Sequence, residues 1–181
     1  MSPRERIAHA IKSAAASGEP ALVAYLTAGY PQREKFREQV RALAAGADVL
    51  EIGVPFTDPM ADGLTIQALD ARQIALVQMV TPVTEPQRLA QLCAGSQGFV
   101  YAVTMTGTTG RNVAVPDEVL AYLDRVRASS PIPVCAGFGI RSREQVKRLR
   151  GHVDGVVVGS ALVEVLERGE DPTPWLGRLR S

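Results

Sequence analysis

Two carboxylates, Glu51 and Asp62, stand close together in the stretch Leu50-Glu51-Ile52-Gly53-Val54-Pro55-Phe56-Thr57-Asp58-Pro59-Met60-Ala61-Asp62-Gly63. Val49, Leu50 and Ile52 read as a buried strand. A lone carboxylate in such a run is costly, so Glu51 must be paired, protonated or used. Asp62 follows in a loop rich in Pro and Gly. Carboxyl groups in unlike surroundings hold unlike protonation states: apolar neighbours such as Leu26, Ile52 and Val54 raise the pKa of Glu51, while a hydrated Asp62 stays ionised. The two read as a candidate acid/base pair. The competing structural reading pairs Glu51 with an arginine and makes Asp62 a turn former before Gly63.

A second constellation is built from glycine: Gly107-Thr108-Thr109-Gly110, Gly137-Phe138-Gly139-Ile140 and Gly159-Ser160, each just after an apolar run. Singly these are ordinary turn residues. Three at equivalent places present backbone N–H groups to an anion, and Ser160 adds a hydroxyl where a helix begins, which points to phosphate. Tyr25 and Tyr101 lie on apolar runs near this site, either as core or as the wall of a substrate pocket. His9 on an amphipathic N-terminal helix and His152 beside Asp154 lack metal-ligand spacing, so no metal is expected. Nor does any motif imply a cofactor.

These groups need a scaffold. Short apolar runs alternate with segments whose apolar residues recur every three to four positions, the pattern of strand, loop and helix repeated. Strands are expected at Ala21–Leu26, Val49–Val54, Ile74–Val80, Phe99–Met105, Val134–Gly137 and Gly155–Val158. Helices are expected from about Glu34, with Phe36, Val40 and Leu43 on one face, over Asp117–Arg127 and over Ser142–Arg150, where Ser142 and Gln145 form a capping box. Trp175, after Pro174, packs a terminal helix onto the body. Continuous apolar strands separated by helices imply a parallel sheet covered on both faces, an α/β barrel or an open doubly wound sheet. Loops rich in Gly, Thr and Asp after the strands favour the barrel, whose sites lie at the strands' C-terminal ends. A dinucleotide fold fits less well, since no G-x-G-x-x-G opens the first helix.

The 181 residues are enough for one hydrophobic core, and a single domain over 1–181 is expected. Yet an eight-unit barrel takes ~250 residues, and only about six strands can be found. The shortfall lies between Gly63 and Ile74. With 46% hydrophobic and 22% charged residues the composition is that of an ordinary globular protein. Twenty basic against 19 acidic side chains leave no electrostatic footprint for nucleic acid or an anionic membrane. Cys93 and Cys135, in apolar neighbourhoods, read as inert thiols rather than a disulfide framework. No apolar run approaches the ~18–20 residues of a membrane span, so a cytoplasmic location is expected.

Taken in order, AYLTAGYP, LEIGVPFTDPMADG, GFVYAVTMTGTTG, GFGI and GVVVGSALV resemble the tryptophan synthase alpha chain from Ala21 to Val163. The resemblance implies a (βα)-barrel lyase that cleaves indole-3-glycerol phosphate to indole and glyceraldehyde 3-phosphate, with a beta-chain partner in an α2β2 assembly. By motif, Glu51 would be the principal acid/base and Asp62 would hold the indole N–H. Tyr101 would lie near the glycerol chain, and Thr109 in the loop that closes over substrate. Gly110, Gly139, Gly159 and Ser160 would cradle the phosphate, and Asp58 and Pro59 would face the beta chain. After Gly63-Leu64-Thr65-Ile66-Gln67 the sequence passes directly to Ala68-Leu69-Asp70, and roughly 70 residues of a full-length barrel are absent. The expectation is thus a TIM-type (βα) barrel of about six parallel strands, helices outside, lacking about two strand–helix units through a deletion near 67–70. Those units supply part of the indole wall and of the beta-chain contact in the family. The alternative is a non-catalytic barrel remnant that binds a sugar phosphate or the beta chain. A sugar-phosphate isomerase is disfavoured, because Glu51 and Asp62 stand in the alpha chain's own motif.

Overall fold

In the computed structural model the described residues are 1–53, 75–104, 114–137 and 139–180. Six strands lie within them: β1 (Ala21–Thr27), β2 (Val49–Gly53), β3 (Gln78–Val80), β4 (Val100–Val103), β5 (Val134–Gly137) and β6 (Gly155–Val158). The helices are α1 (Pro3–Ala15), α2 (Phe36–Gly46, entered through a 3-10 turn at Arg33–Lys35), α3 (Pro86–Gly95), α4 (Asp117–Ser129), α5 (Arg143–Leu149), α6 (Ser160–Glu167) and α7 (Pro172–Arg180).

The strands form one sheet in the order β2-β1-β6-β5-β4-β3, and every pair is parallel. The last strand thus returns to the first, as in a closed barrel, while β2 and β3 form the two ends. A flat six-stranded sheet would hold its end strands about 24 Å apart, five steps of ~4.8 Å. Instead Glu51 on β2 and Met79 on β3 line the same cavity. The sheet is curled into an incomplete barrel.

Alternation along the strands separates two cores. Leu22, Ala24 and Leu26 of β1 face outward and pack with Leu43, Leu123, Leu149, Leu162 and Leu176 of the surrounding helices. Ala21 and Val23 face inward with Phe99, Cys135 and Val157, and Ile11 of α1 packs against this inner group. Helix α1 therefore covers the end where the strands begin. Its own start is fixed by a capping box in which Ser2 and Glu5 satisfy each other's backbone N–H.

The strand starts carry a repeated device. Leu22 N donates to Asp48 Oδ2 (2.8 Å) while Asp48 N donates to Leu22 O (2.9 Å), and Val134 with Asp154 repeats both bonds at 2.9 and 2.8 Å. Leu76 and Gln97 form the same ring, with Gln97 Oε1 accepting at 3.3 Å. Each polar side chain stands before one strand and accepts from a backbone N–H at or near the start of its neighbour.

Most expected elements are present, with boundaries moved for local reasons. Strand β1 runs one residue further, to Thr27, and the capping box at Ser142 and Gln145 is formed. The expected strand Ile74–Val80 is shorter: residues 75–77 are not strand, because Leu76 bonds to the Gln97 side chain instead of to a ladder partner. Phe99 likewise precedes β4, its N–H turning back to Gln97 O. Helix α3 was not anticipated, although Leu89, Leu92 and Cys93 have helical spacing after Pro86. The expected strand ends Val54, Ile74 and Met105, and the junction near 67–70, lie outside the described residues. Trp175 sits in α7 and packs against the outer core.

Candidate active site

Strand β2 brings Glu51 beside Tyr25 of β1, its register partner, with both side chains on the inner face. Parallel pairing puts the C-terminal ends of all strands at one rim, and there a cavity of about 620 Å³ opens. Glu51, Tyr25, Tyr101, Gly139, Gly159 and Ser160 all line it. The structure thus gathers six of the expected site residues, three on strands β1, β2 and β4 and three in the segments that follow β5 and β6. Asp62, Thr109 and Gly110 lie outside the described residues, as do Asp58 and Pro59.

Glu51 is half-buried, and its Oε2 has no hydrogen-bond partner among the described residues. No arginine meets it there, so the ion-pair alternative is not what the described residues form. Burial alone raises its pKa above the ordinary carboxylate value. A buried carboxylate oxygen without a donor calls for an explanation beyond stability. Tyr101 is raised as well, first by burial and then by the charge of Glu51. Cys135, fully buried on the inner face, is pushed up chiefly by desolvation and is an inert thiol.

Both tyrosines have room because glycines face them. A Cβ on Gly53 would overlap the Tyr25 hydroxyl, and one on Gly137 would overlap the Tyr101 hydroxyl. Gly159 is in ordinary contact distance of the Tyr25 ring, at 3.4 Å from a built Cβ. Large and small residues thus alternate around the inner face, as barrel layers require. Phe99 stacks beside Tyr101 with ring centroids 6.4 Å apart. Tyr25 and Tyr101 are consequently both core and cavity wall.

The glycine-rich side is organised by Gln145. Its Oε1 accepts from Arg141 N (2.7 Å) and Ser142 N (3.1 Å), and its Nε2 donates to Gly139 O (3.3 Å). Gly139 has φ +86°, a conformation that side chains disfavour. Gly159 is the N-cap of α6, with no side-chain cap, so Ser160 and Ala161 line the cavity at a helix start. Uncapped N–H groups and the helix dipole favour an anion there. Arg141, Met79 and Val77 were not singled out from sequence, and Gly53 and Gly137, present in the motifs, were not read there as the residues that make room for the tyrosines. Arg141 could have been, as a cation directly after Gly139-Ile140. Among the described residues no group of three His, Cys, Asp or Glu gathers as a metal site. The cavity therefore holds a half-buried carboxyl group on one side and an uncapped, glycine-rich helix start on the other.

Comparison with known proteins gives this geometry relatives. The family model for the tryptophan synthase alpha chain matches residues 11–73 and 67–176, two segments that overlap at 67–73. The tryptophan synthase alpha chain of Nitratidesulfovibrio vulgaris is 30% identical over an alignment of 247 positions, covering 94% of this chain and 96% of that one. That of Bacillus mycoides is 32% identical, covering 83% and 88%. An alignment of 247 positions to a chain of 181 residues leaves dozens that this chain does not fill. Among solved structures, tryptophan synthase of Mycobacterium tuberculosis superposes with a TM-score of 0.80 at 25% identity, covering 96% of each chain. A chain from the tryptophan synthase α2β2 complex of Pyrococcus furiosus gives 0.70 at 25% identity, covering 88% and 97%.

Proposed function

The chain belongs to the tryptophan synthase alpha chain family, and from that premise we propose that it is a carbon–carbon lyase acting on indole-3-glycerol phosphate. The family works in tryptophan biosynthesis. The observation that carries the proposal is Glu51: a carboxyl group with an undonated, buried Oε2, in a cavity whose other side is a glycine-rich helix start.

In this reading the phosphate sits at Gly139, Gly159 and Ser160, with Gly110 completing the cradle. Glu51, its pKa raised by burial, delivers a proton to the indole ring carbon and accepts the proton of the glycerol hydroxyl as the carbon–carbon bond breaks. Asp62 holds the indole N–H, and its charge stabilises the cationic ring formed in that step. Tyr25 and Tyr101 wall the glycerol chain, and Thr109 belongs to the closing loop. A beta chain would receive the indole on the face of Asp58 and Pro59. A cytoplasmic location is in keeping with this role.

We place the missing strand–helix units near 67–70, where the two matched segments of the family model overlap. That placement supports the second reading, a non-catalytic remnant that retains sugar-phosphate or beta-chain binding. The sheet ends at β2, the strand that bears Glu51, and at β3. The indole side of the cavity is therefore where wall has been lost. Indole release from indole-3-glycerol phosphate, with and without a beta chain, separates the readings when compared between the unaltered chain and Glu51→Gln. Glu51-dependent indole establishes the lyase; its absence under both conditions leaves the remnant.

A further inference from the structure

Among the described residues lining the cavity one carries a positive charge, Arg141. It stands two positions after Gly139 and shares the cavity lining with Gly159 and Ser160. Both ends of the residue are held. Its backbone N donates to Gln145 Oε1 at 2.7 Å, and its Nη2 donates to Glu164 Oε2. Glu164 is on α6, one turn beyond Ser160 and on the same helix face. Ion pairs open to solvent on one side contribute little stability, and this one is partly exposed, so holding a flexible arginine in one place is the larger consequence of the contact. A guanidinium has five N–H donors in a fixed fork. Glu164 takes one nitrogen, and Nε and Nη1 have no protein acceptor among the described residues.

We propose that Arg141, aimed by Glu164, is an anion-binding residue of the cavity that matches its charge to doubly negative phosphate monoesters. The proposal rests on the phosphate-cradle reading of Gly139, Gly159 and Ser160. Backbone N–H groups and a serine hydroxyl bind any phosphate oxygen, whether the group carries one charge or two. A guanidinium adds charge-assisted bonds, roughly twice as strong as neutral ones, whose strength follows the ligand's charge. It also offsets the negative charge that Glu51 carries when ionised in the same cavity.

The test is a titration of the purified full chain with glycerol 3-phosphate and with its methyl diester, which keeps the phosphate but holds a single charge. The unaltered chain is expected to prefer the monoester on the order of tenfold. Arg141→Gln is expected to weaken monoester binding by a similar factor and to abolish the preference. Equal losses for both ligands, or no loss, would reduce Arg141 to a strut between α5 and α6 and overturn the proposal while the cradle stands. If neither ligand binds the unaltered chain, or Ser160→Asp leaves binding intact, the cradle itself fails and the proposal with it. A second measurement needs no variant: the Arg141 Nε–Hε resonance of the unaltered chain must shift with the monoester. An unmoved resonance at saturation overturns the assignment.

Discussion

At the scale of single residues, the cavity depends on a charge that the fold disfavours and on glycines that make space. Glu51 has its pKa raised by burial, so the folded chain retains a proton that the unfolded chain loses above about 4.5. Stability therefore falls as pH rises from that value through the raised one, and Glu51→Gln removes the dependence. In denaturant titrations the variant should be more stable than the parent at pH 8 and nearly equal to it at pH 4; a variant less stable at pH 8 would contradict the assignment. If the lyase reading holds, the same substitution lowers indole release by about 10²–10⁴-fold, the usual contribution of a positioned acid/base. Gly137→Ala tests the space: its methyl group would strike Tyr101, with an expected loss of about 1–3 kcal/mol. Adding Tyr101→Leu should recover part of that loss, whereas strictly additive effects would show that the two do not meet. The carboxylate was visible in the sequence because charge inside an apolar run is anomalous. The partners of Gly53 and Gly137 were not, because they lie across the sheet and depend on register.

At the scale of elements, strand starts are fixed by side chains rather than by the ladder alone. Asp154 accepts from Val134 N and lies 3.5 Å from Arg127; Asp48 accepts from Leu22 N and from Arg180 at 2.8 Å. Asp154→Ala leaves a backbone N–H at a strand start without its acceptor, which costs about 1–3 kcal/mol. Asp154→Asn, keeping an oxygen in place, should retain most of the stability. Equal melting temperatures for the two variants would argue that the charge and not the acceptor matters. Periodicity and capping signals placed the helices other than α3 and the six strands to within a few residues, since they depend on neighbours in the chain. The shortening of β3 was hidden, because a distant side chain, Gln97, replaces the ladder at Leu76.

At the scale of the whole molecule, the sheet closes between β6 and β1, and among the described residues no strand joins β2 to β3. End strands present unpaired backbone groups, and the apolar side chains Ile52 and Met79 on them are 46% and 51% exposed. The chain is expected to self-associate, with a sedimentation coefficient that rises with concentration. A single monomeric species across the range, with a sharp cooperative unfolding transition, would show that the open side is not adhesive. The sequence alone determined the alternation of strand and helix, the acid in the apolar run, the glycine-rich turns and the family resemblance, because each is a pattern of composition and spacing along the chain. Only the tertiary structure decided that β2 and β3 are the ends of the sheet, that Glu51 has no arginine partner among the described residues, and that Arg141 shares its cavity. Those facts follow from curling a parallel sheet, which brings residues far apart in sequence to one rim, and no local pattern encodes which of them will meet.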